Sequence, residues 1–281
     1  MNLAKVWAFA AYEVRRASAR KKVLALVVIT ILLDTVPYYL LRTSRLSVVP
    51  PTDYPYLWVT GVFVLQGFFF PFIALLISAG SMSEEYEQGT AEVLLSKPVS
   101  RDEFLCGKFL GGFILMSVVI ILNSILTVCA ATFAFGPQLA LQVLPLVALA
   151  QAFSSLVFLS VAFLSGELIR RSSLSYIVAS AVFFTSYIVG LYLRVIFEFT
   201  GDPLYQTFSL YLPTTPVSSL PLLLGQSQLP ASAVSILQAL GVATAEKSAL
   251  FSVALIAVYA LCAFGAARTY FNRVDVSKKV T

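Results

Sequence analysis

Residues 81–108 read SMSEEYEQGTAEVLLSKPVSRDEFLCGK. Nine formal charges fall in this stretch of 28 residues, at Glu84, Glu85, Glu87, Glu92, Lys97, Arg101, Asp102, Glu103 and Lys108. Its punctuation predicts structure. SEEYEQ consists of good helix formers and stops at Gly89, a fitting C-terminal glycine. Thr90 can cap a second short helix over AEVLLS, with Glu92 in its first turn, where the helix dipole favours an anion. Lys97-Pro98 ends that helix, because a residue before proline avoids helical geometry. Ser100-Arg101-Asp102-Glu103 is a capping box, a serine cap with glutamate three residues on, and it restarts a helix through Phe104, Leu105 and Lys108.

On either side the chain is built for hydrocarbon. It has 281 residues, of which 59% are hydrophobic and 12% charged, and its mean hydropathy is +0.88. Runs at 23–41, 58–79, 109–133, 141–164, 174–196 and 249–267 are long enough to cross an apolar slab roughly 30 Å thick. Period-two alternation is absent, which argues against a lipid-facing barrel. In lipid each span must satisfy its own backbone, so the spans are helices. The expected fold class is an all-α polytopic membrane protein with six transmembrane helices.

Orientation follows from Lys and Arg. With six spans both termini share a side with loops 80–108 and 165–173. That side holds fifteen basic residues: Lys5, Arg15, Arg16, Arg20, Lys21, Lys22, Lys97, Arg101, Lys108, Arg170, Arg171, Arg268, Arg273, Lys278 and Lys279. The other side holds four, Arg42, Arg45, Arg194 and Lys247. The expectation is a cell-membrane protein with both termini in the cytoplasm. The net charge of +5 is then a topology signal and calls for no nucleic acid. Cys106, Cys129 and Cys262 lack paired spacing and suggest neither a disulfide nor a metal site.

Residues 1–22 form one unit, and 23–281 form a transmembrane domain. In the first, Leu3, Val6, Trp7, Ala10 and Val14 recur at helical spacing opposite basic positions, which predicts an amphipathic helix on the membrane surface. A solvated cytoplasmic helix is the alternative. The run starting at Val23 is read as a retained span, since no cleavage pattern precedes Asp34. Gly136-Pro137 makes a tight turn between spans three and four. The external segment 197–248 is apolar but carries Pro203, Pro213, Pro216, Pro221 and Pro230, which rule out one continuous helix. Short helices lying on or dipping into the outer leaflet are expected there.

A structured, charged loop is either a solvated turn or a docking surface, with acidic residues presented and Ala91, Leu94 and Leu95 packed beneath. At this point a resemblance helps. The run E-x-x-x-G-T-x-x-x-L-L-S-x-P-x-S-R, carried by Glu85, Gly89, Thr90, Leu94, Leu95, Ser96, Pro98, Ser100 and Arg101, resembles the first cytoplasmic loop of type-2 ABC transporter permeases. Lys108 sits where such permeases commonly carry a lysine. The elbow helix, six spans and membrane-associated external segment match the same pattern, closest to permeases linked to maturation of copper enzymes.

The resemblance implies that this loop is a coupling helix seated in a groove on a separate ABC ATPase. Residues 83–88 would insert, Gly89 and Thr90 would shape the turn, and 96–101 would lock the second helix against the membrane domain. The implied ATPase-coupling set is Ser83, Glu84, Glu85, Glu87, Gly89, Thr90, Glu92, Pro98, Ser100 and Arg101, with Glu84, Glu85 and Glu87 most exposed to the partner. It also implies two ATPase copies, a second permease copy or a paralogue, surrounding lipid, and ATP-driven export. No G-x-x-x-x-G-K-[ST] phosphate loop occurs in the sequence, so this chain is expected to bind no cofactor, with ATP and Mg on the ATPase.

Inside the spans, Asp34, Gln66, Asn123 and Gln151 are candidates for a polar pathway. Pro37, Tyr38 and Tyr39 suggest a nearby membrane boundary, so Asp34 is expected to reach interfacial water before it serves as an intramembrane site. For Gln66, Asn123 and Gln151, helix–helix hydrogen bonding is the commoner use. GFFFPF at 67–72 places a proline kink beside an aromatic cluster. The absence of histidine excludes His-based zinc sites and His-dependent triads, and no G-x-S-x-G elbow occurs. An ion-coupled secondary transporter or channel using Asp34 is the rival reading.

Overall fold

The computed structural model describes residues 2–43, 50–96, 98–239 and 248–274. Lys97, Arg45, Lys247, Lys278 and Lys279, which contribute to the charge asymmetry, lie outside these residues. Among the described residues every regular element is helical. Helix α1 (Leu3–Ser18) leads into α2 (Lys21–Thr43), and a 3-10 turn (Pro51–Tyr56) and a π-helical turn (Thr60–Leu65) precede α3 (Gln66–Gln88). Then come α4 (Thr90–Leu95), α5 (Arg101–Phe135), α6 (Leu144–Ile169) and α7 (Ser172–Thr200). Three short helices, α8 (Pro203–Leu210), α9 (Thr214–Gln226) and α10 (Ala231–Ala239), separate α7 from α11 (Ala249–Arg273).

Six helices have the length and apolarity of membrane spans, as expected. Two of them run further than the apolar runs suggest. α3 does not stop near Ser81 to yield a separate SEEYEQ helix, but continues unbroken to Gln88. Nothing between Ser81 and Gln88 breaks a helix, and its charges find partners that make a stop at the membrane boundary unnecessary. Gly89 closes α3 at φ +69°, the left-handed conformation for which glycine was expected. α5 has 35 residues, about 52 Å, well beyond the hydrocarbon thickness. The bundle therefore protrudes from the apolar slab at the end that carries the start of α1 and the end of α11.

α3 and α6 form the centre. They approach so closely that a Cβ on Gly166 would lie 2.7 Å from the Ala79 carbonyl oxygen. The aromatic run at 67–72 packs within the bundle: Phe68 meets Phe183 and Tyr187 of α7, and Phe72 meets Phe183 and Phe184. Between α7 and α11 the described residues of segment 197–248 form short helices broken at prolines. Pro203 opens α8, Pro213 and Pro216 sit at the start of α9, and Pro221 lies within it. α9 buries Val217, Leu220 and Leu222 against the bundle.

α1 lies along the first turns of α5, burying Val6, Ala10, Glu13 and Ala17 at successive helical turns. Gly107 and Gly111 make this possible: a Cβ on Gly107 would meet Phe9 Cβ at 2.5 Å, and one on Gly111 would meet the Ala10 carbonyl at 2.6 Å. The apolar stripe read from the sequence therefore divides. Val6 and Ala10 face α5, whereas Leu3 and Trp7 are 76% and 63% exposed and point outward.

Gly111→Val should displace α1, because the nearest obstacle is backbone and cannot rotate away. We expect a loss of about 1–3 kcal/mol and faster amide exchange across 3–18. Unchanged exchange in α1 would contradict the packing described.

Candidate functional site

Lys108 enters α5 fully buried, and each of its three N–H donors is used. Nζ donates to Glu13 Oε2 (2.8 Å), to Glu85 Oε1 (2.6 Å) and to the Ser81 carbonyl (3.0 Å). Arg16 adds a second cation, at 2.6 Å from Glu85 and 3.4 Å from Glu84. Arg20 pairs with Glu84 at 3.0 Å and Glu13 at 3.3 Å, and donates to the Ile77 carbonyl. Tyr176 of α7 donates to Glu84 at 2.9 Å, and Thr90 donates to Glu85. Three carboxylates and three cations thus close a neutral node joining α1, α3, α4, α5 and α7. Burial, reinforced by the charge of Glu85, raises the pKa of the neighbouring Tyr12 phenol.

This corrects the expectation for the acidic residues. Glu85 is fully buried and Glu84 keeps 21% of its side chain exposed, and both are committed to the basic residues Arg16, Arg20 and Lys108. Ser83 is fully buried as well and donates to the Ala79 carbonyl. Glu87 is exposed, but its carboxylate accepts from the Ser172 amide (2.8 Å) and hydroxyl (2.6 Å). It thereby caps α7, where the helix dipole favours an anion. The inward orientation follows from electrostatics, since Lys108, Arg16 and Arg20 would otherwise be buried without counter-charge.

The remaining members of the predicted set keep the surface. α4 buries Ala91 and presents Glu92 and Val93, the latter 63% exposed. The capping box forms as read: Ser100 Oγ accepts from the Glu103 amide (3.2 Å), and Glu103 accepts from the Ser100 amide (3.1 Å). Glu103 also accepts from the Asn2 amide (2.6 Å), tying the starts of α1 and α5 together. The Pro98 carbonyl accepts from Lys5. Arg101 donates to the carbonyls of Phe271 (2.6 Å) and Val274 (2.9 Å), so this segment is fastened to the end of α11.

A second polar group lies inside the spans. Asp34 is buried, contrary to the expectation of interfacial water. Gln66 donates to Asp34 (3.0 Å) and to Thr127 (2.9 Å), and Ser124 donates to Gln66 (3.3 Å). Gln151 donates to the Val62 carbonyl (2.8 Å) within the π-helical turn. Asn123 bonds only along its own helix, to the Val119 carbonyl (3.1 Å). The structure therefore brings Asp34 and Gln66 together and leaves Asn123 and Gln151 outside the pair.

Sequence reasoning missed Glu13, Arg16, Arg20, Tyr176 and Thr127 as site residues. Glu13 carried a signal, as the sole acidic residue before Asp34, placed on the Val6–Ala10–Ala17 stripe. Thr127 carried a weaker one, four residues from Asn123 in an apolar span.

The family model for the ABC-2 family transporter protein matches residues 7–276. The chain belongs to this family. No curated protein matches the sequence closely enough to count as a relative. The family match runs from within α1 past the end of α11, and does not single out the copper-enzyme-maturation branch. With its six apolar helices, this ABC-2 protein is a multi-pass membrane subunit of an ABC transporter.

Lys108→Met should leave the buried node one positive charge short, with Glu85 held only by Arg16 and Glu13 only by Arg20, and cost about 3–5 kcal/mol. Adding Glu85→Gln should recover part of that loss. Thermal melts of the purified single and double variants read both; strictly additive losses would contradict a shared node.

Proposed function

We propose that this chain is the permease of an ATP-driven exporter, and that α4 is the element seated on a separate ATPase. The observation that carries this reading is the contrast between the node and α4. Glu84 and Glu85 are spent holding α3 to α1 and α5, while Glu92 and Val93 face outward on a short helix fixed at its base by Thr90. A short helix anchored on one side and exposed on the other can pass a push from the partner into α3 and α5. Both are continuous from the node into the membrane.

ATP and Mg would reside on the ATPase, since the sequence has no phosphate loop of its own. The distribution of Lys and Arg supports placing the α4 end, with both termini, in the cytoplasm of a cell-membrane protein. The working complex would hold two ATPases and a second permease copy or a paralogue. α7 leaves Ile177, Ile188 and Tyr192 exposed as apolar surface for lipid or that copy.

Val93→Arg should weaken association with the ATPase at least tenfold, about 1.4 kcal/mol, and leave the melting temperature unchanged. Co-purification and ATPase stimulation are the readouts. Undiminished association would remove α4 from the interface.

A further inference from the structure

Asp34 is 1% exposed, and no described Lys or Arg pairs with it. Its hydrogen-bond partners are neutral, Gln66 from α3 and Thr127 from α5, and the Tyr38 hydroxyl one turn further along α2 is engaged with Leu57 and Thr60. Arg42, further along α2, is engaged with the Phe133 carbonyl (2.7 Å). Lys108 lies 19 residues before Thr127, or about 28 Å along α5. A carboxylate buried in such surroundings without a counter-ion costs several kcal/mol as an anion. Its Oδ1 is buried and accepts no hydrogen bond.

The hydrogen inventory points the same way. Thr127 has one hydroxyl hydrogen, and the Asn123 carbonyl lies 2.9 Å from its oxygen. Asp34 Oδ2 lies 3.4 Å from that same oxygen. If the Thr127 hydrogen stays on the nearer carbonyl, the contact with Asp34 needs a hydrogen from Asp34. The two Gln66 amide hydrogens are already divided between Asp34 and Thr127. With one proton on Oδ2, Asp34 donates to Thr127, Thr127 donates to the Asn123 carbonyl, and Gln66 donates to both, while Oδ1 stays unpartnered as the neutral acid's carbonyl oxygen.

We propose that Asp34, Gln66 and Thr127 form an intramembrane proton-binding site, with the proton on Asp34 Oδ2 and Thr127 as its acceptor. The bound species is a proton, which converts the carboxylate to a neutral acid in one step. The site lies nearer the outer end of the bundle: Thr127 is eight residues, about 12 Å, from the end of α5 at Phe135. Burial between α2, α3 and α5 shields the proton from bulk water.

Infrared difference spectroscopy of the full chain in lipid nanodiscs at neutral pH tests this without any ATPase, so its failure leaves the exporter reading untouched. Wild type minus Asp34→Asn should show the C=O stretch of a protonated carboxylic acid. Thr127→Val should move that band by removing its acceptor, and Asp34→Glu should shift it without abolishing it. If Asp34→Asn does not fold, wild type minus Asp34→Glu must show a shifted acid band. Carboxylate bands without an acid band, in either difference spectrum, would overturn the proposal.

Discussion

A buried ammonium group sets the terms for one end of this molecule. Lys108 is shut off from solvent and needs three acceptors, which it finds on α1 and α3. That requirement draws Glu13 and Glu85 together, and Arg16 and Arg20 balance the extra negative charge. Such a cluster adds little net stability compared with an apolar replacement, because desolvation offsets attraction. Its contribution is geometric: a helix that slips by one turn leaves an ion without a partner. The glycines at 107 and 111 serve the same end, allowing α1 to approach closely enough for Glu13 to reach Lys108.

With α1, α3 and α5 fixed in this way, α3 extends past the apolar slab as a rigid rod, and Gly89 turns the chain into α4. The direction of α4 is therefore set by the node. The opposite polar group, around Asp34, is tied to the same two rods about 28 Å away. α3 and α5 each carry members of both groups: Glu84, Glu85 and Gln66 on α3, and Lys108 and Thr127 on α5. A displacement entering at α4 has a continuous helical path to Asp34.

Much of this was legible in the sequence because it depends on local rules. The six spans follow from apolar length, the end of α3 from Gly89, the start of α5 from the Ser100–Glu103 box, and the broken helices between α7 and α11 from their prolines. The orientation of Glu84 and Glu85 was not legible. Charge alone permits either water or an ionic partner, and their partners Lys108, Arg16 and Tyr176 lie 23, 69 and 92 positions away in the chain. Asp34 was misplaced for a related reason. Pro37 and the tyrosines after it resemble a membrane boundary, yet α2 continues through Pro37 to Thr43, which leaves Asp34 nine residues inside the helix. Tertiary packing decided both cases.

The central claim is that α4 faces the ATPase while the node behind it remains closed. Hydrogen–deuterium exchange of the permease in nanodiscs, with and without its ATPase, tests it most directly. The account predicts new protection confined to residues 89–96, with 81–88 already protected in the free permease and unchanged on binding. Exposure of 81–88 on binding, or protection that bypasses 89–96, would show that the acidic residues leave the node to meet the partner, and would contradict the account.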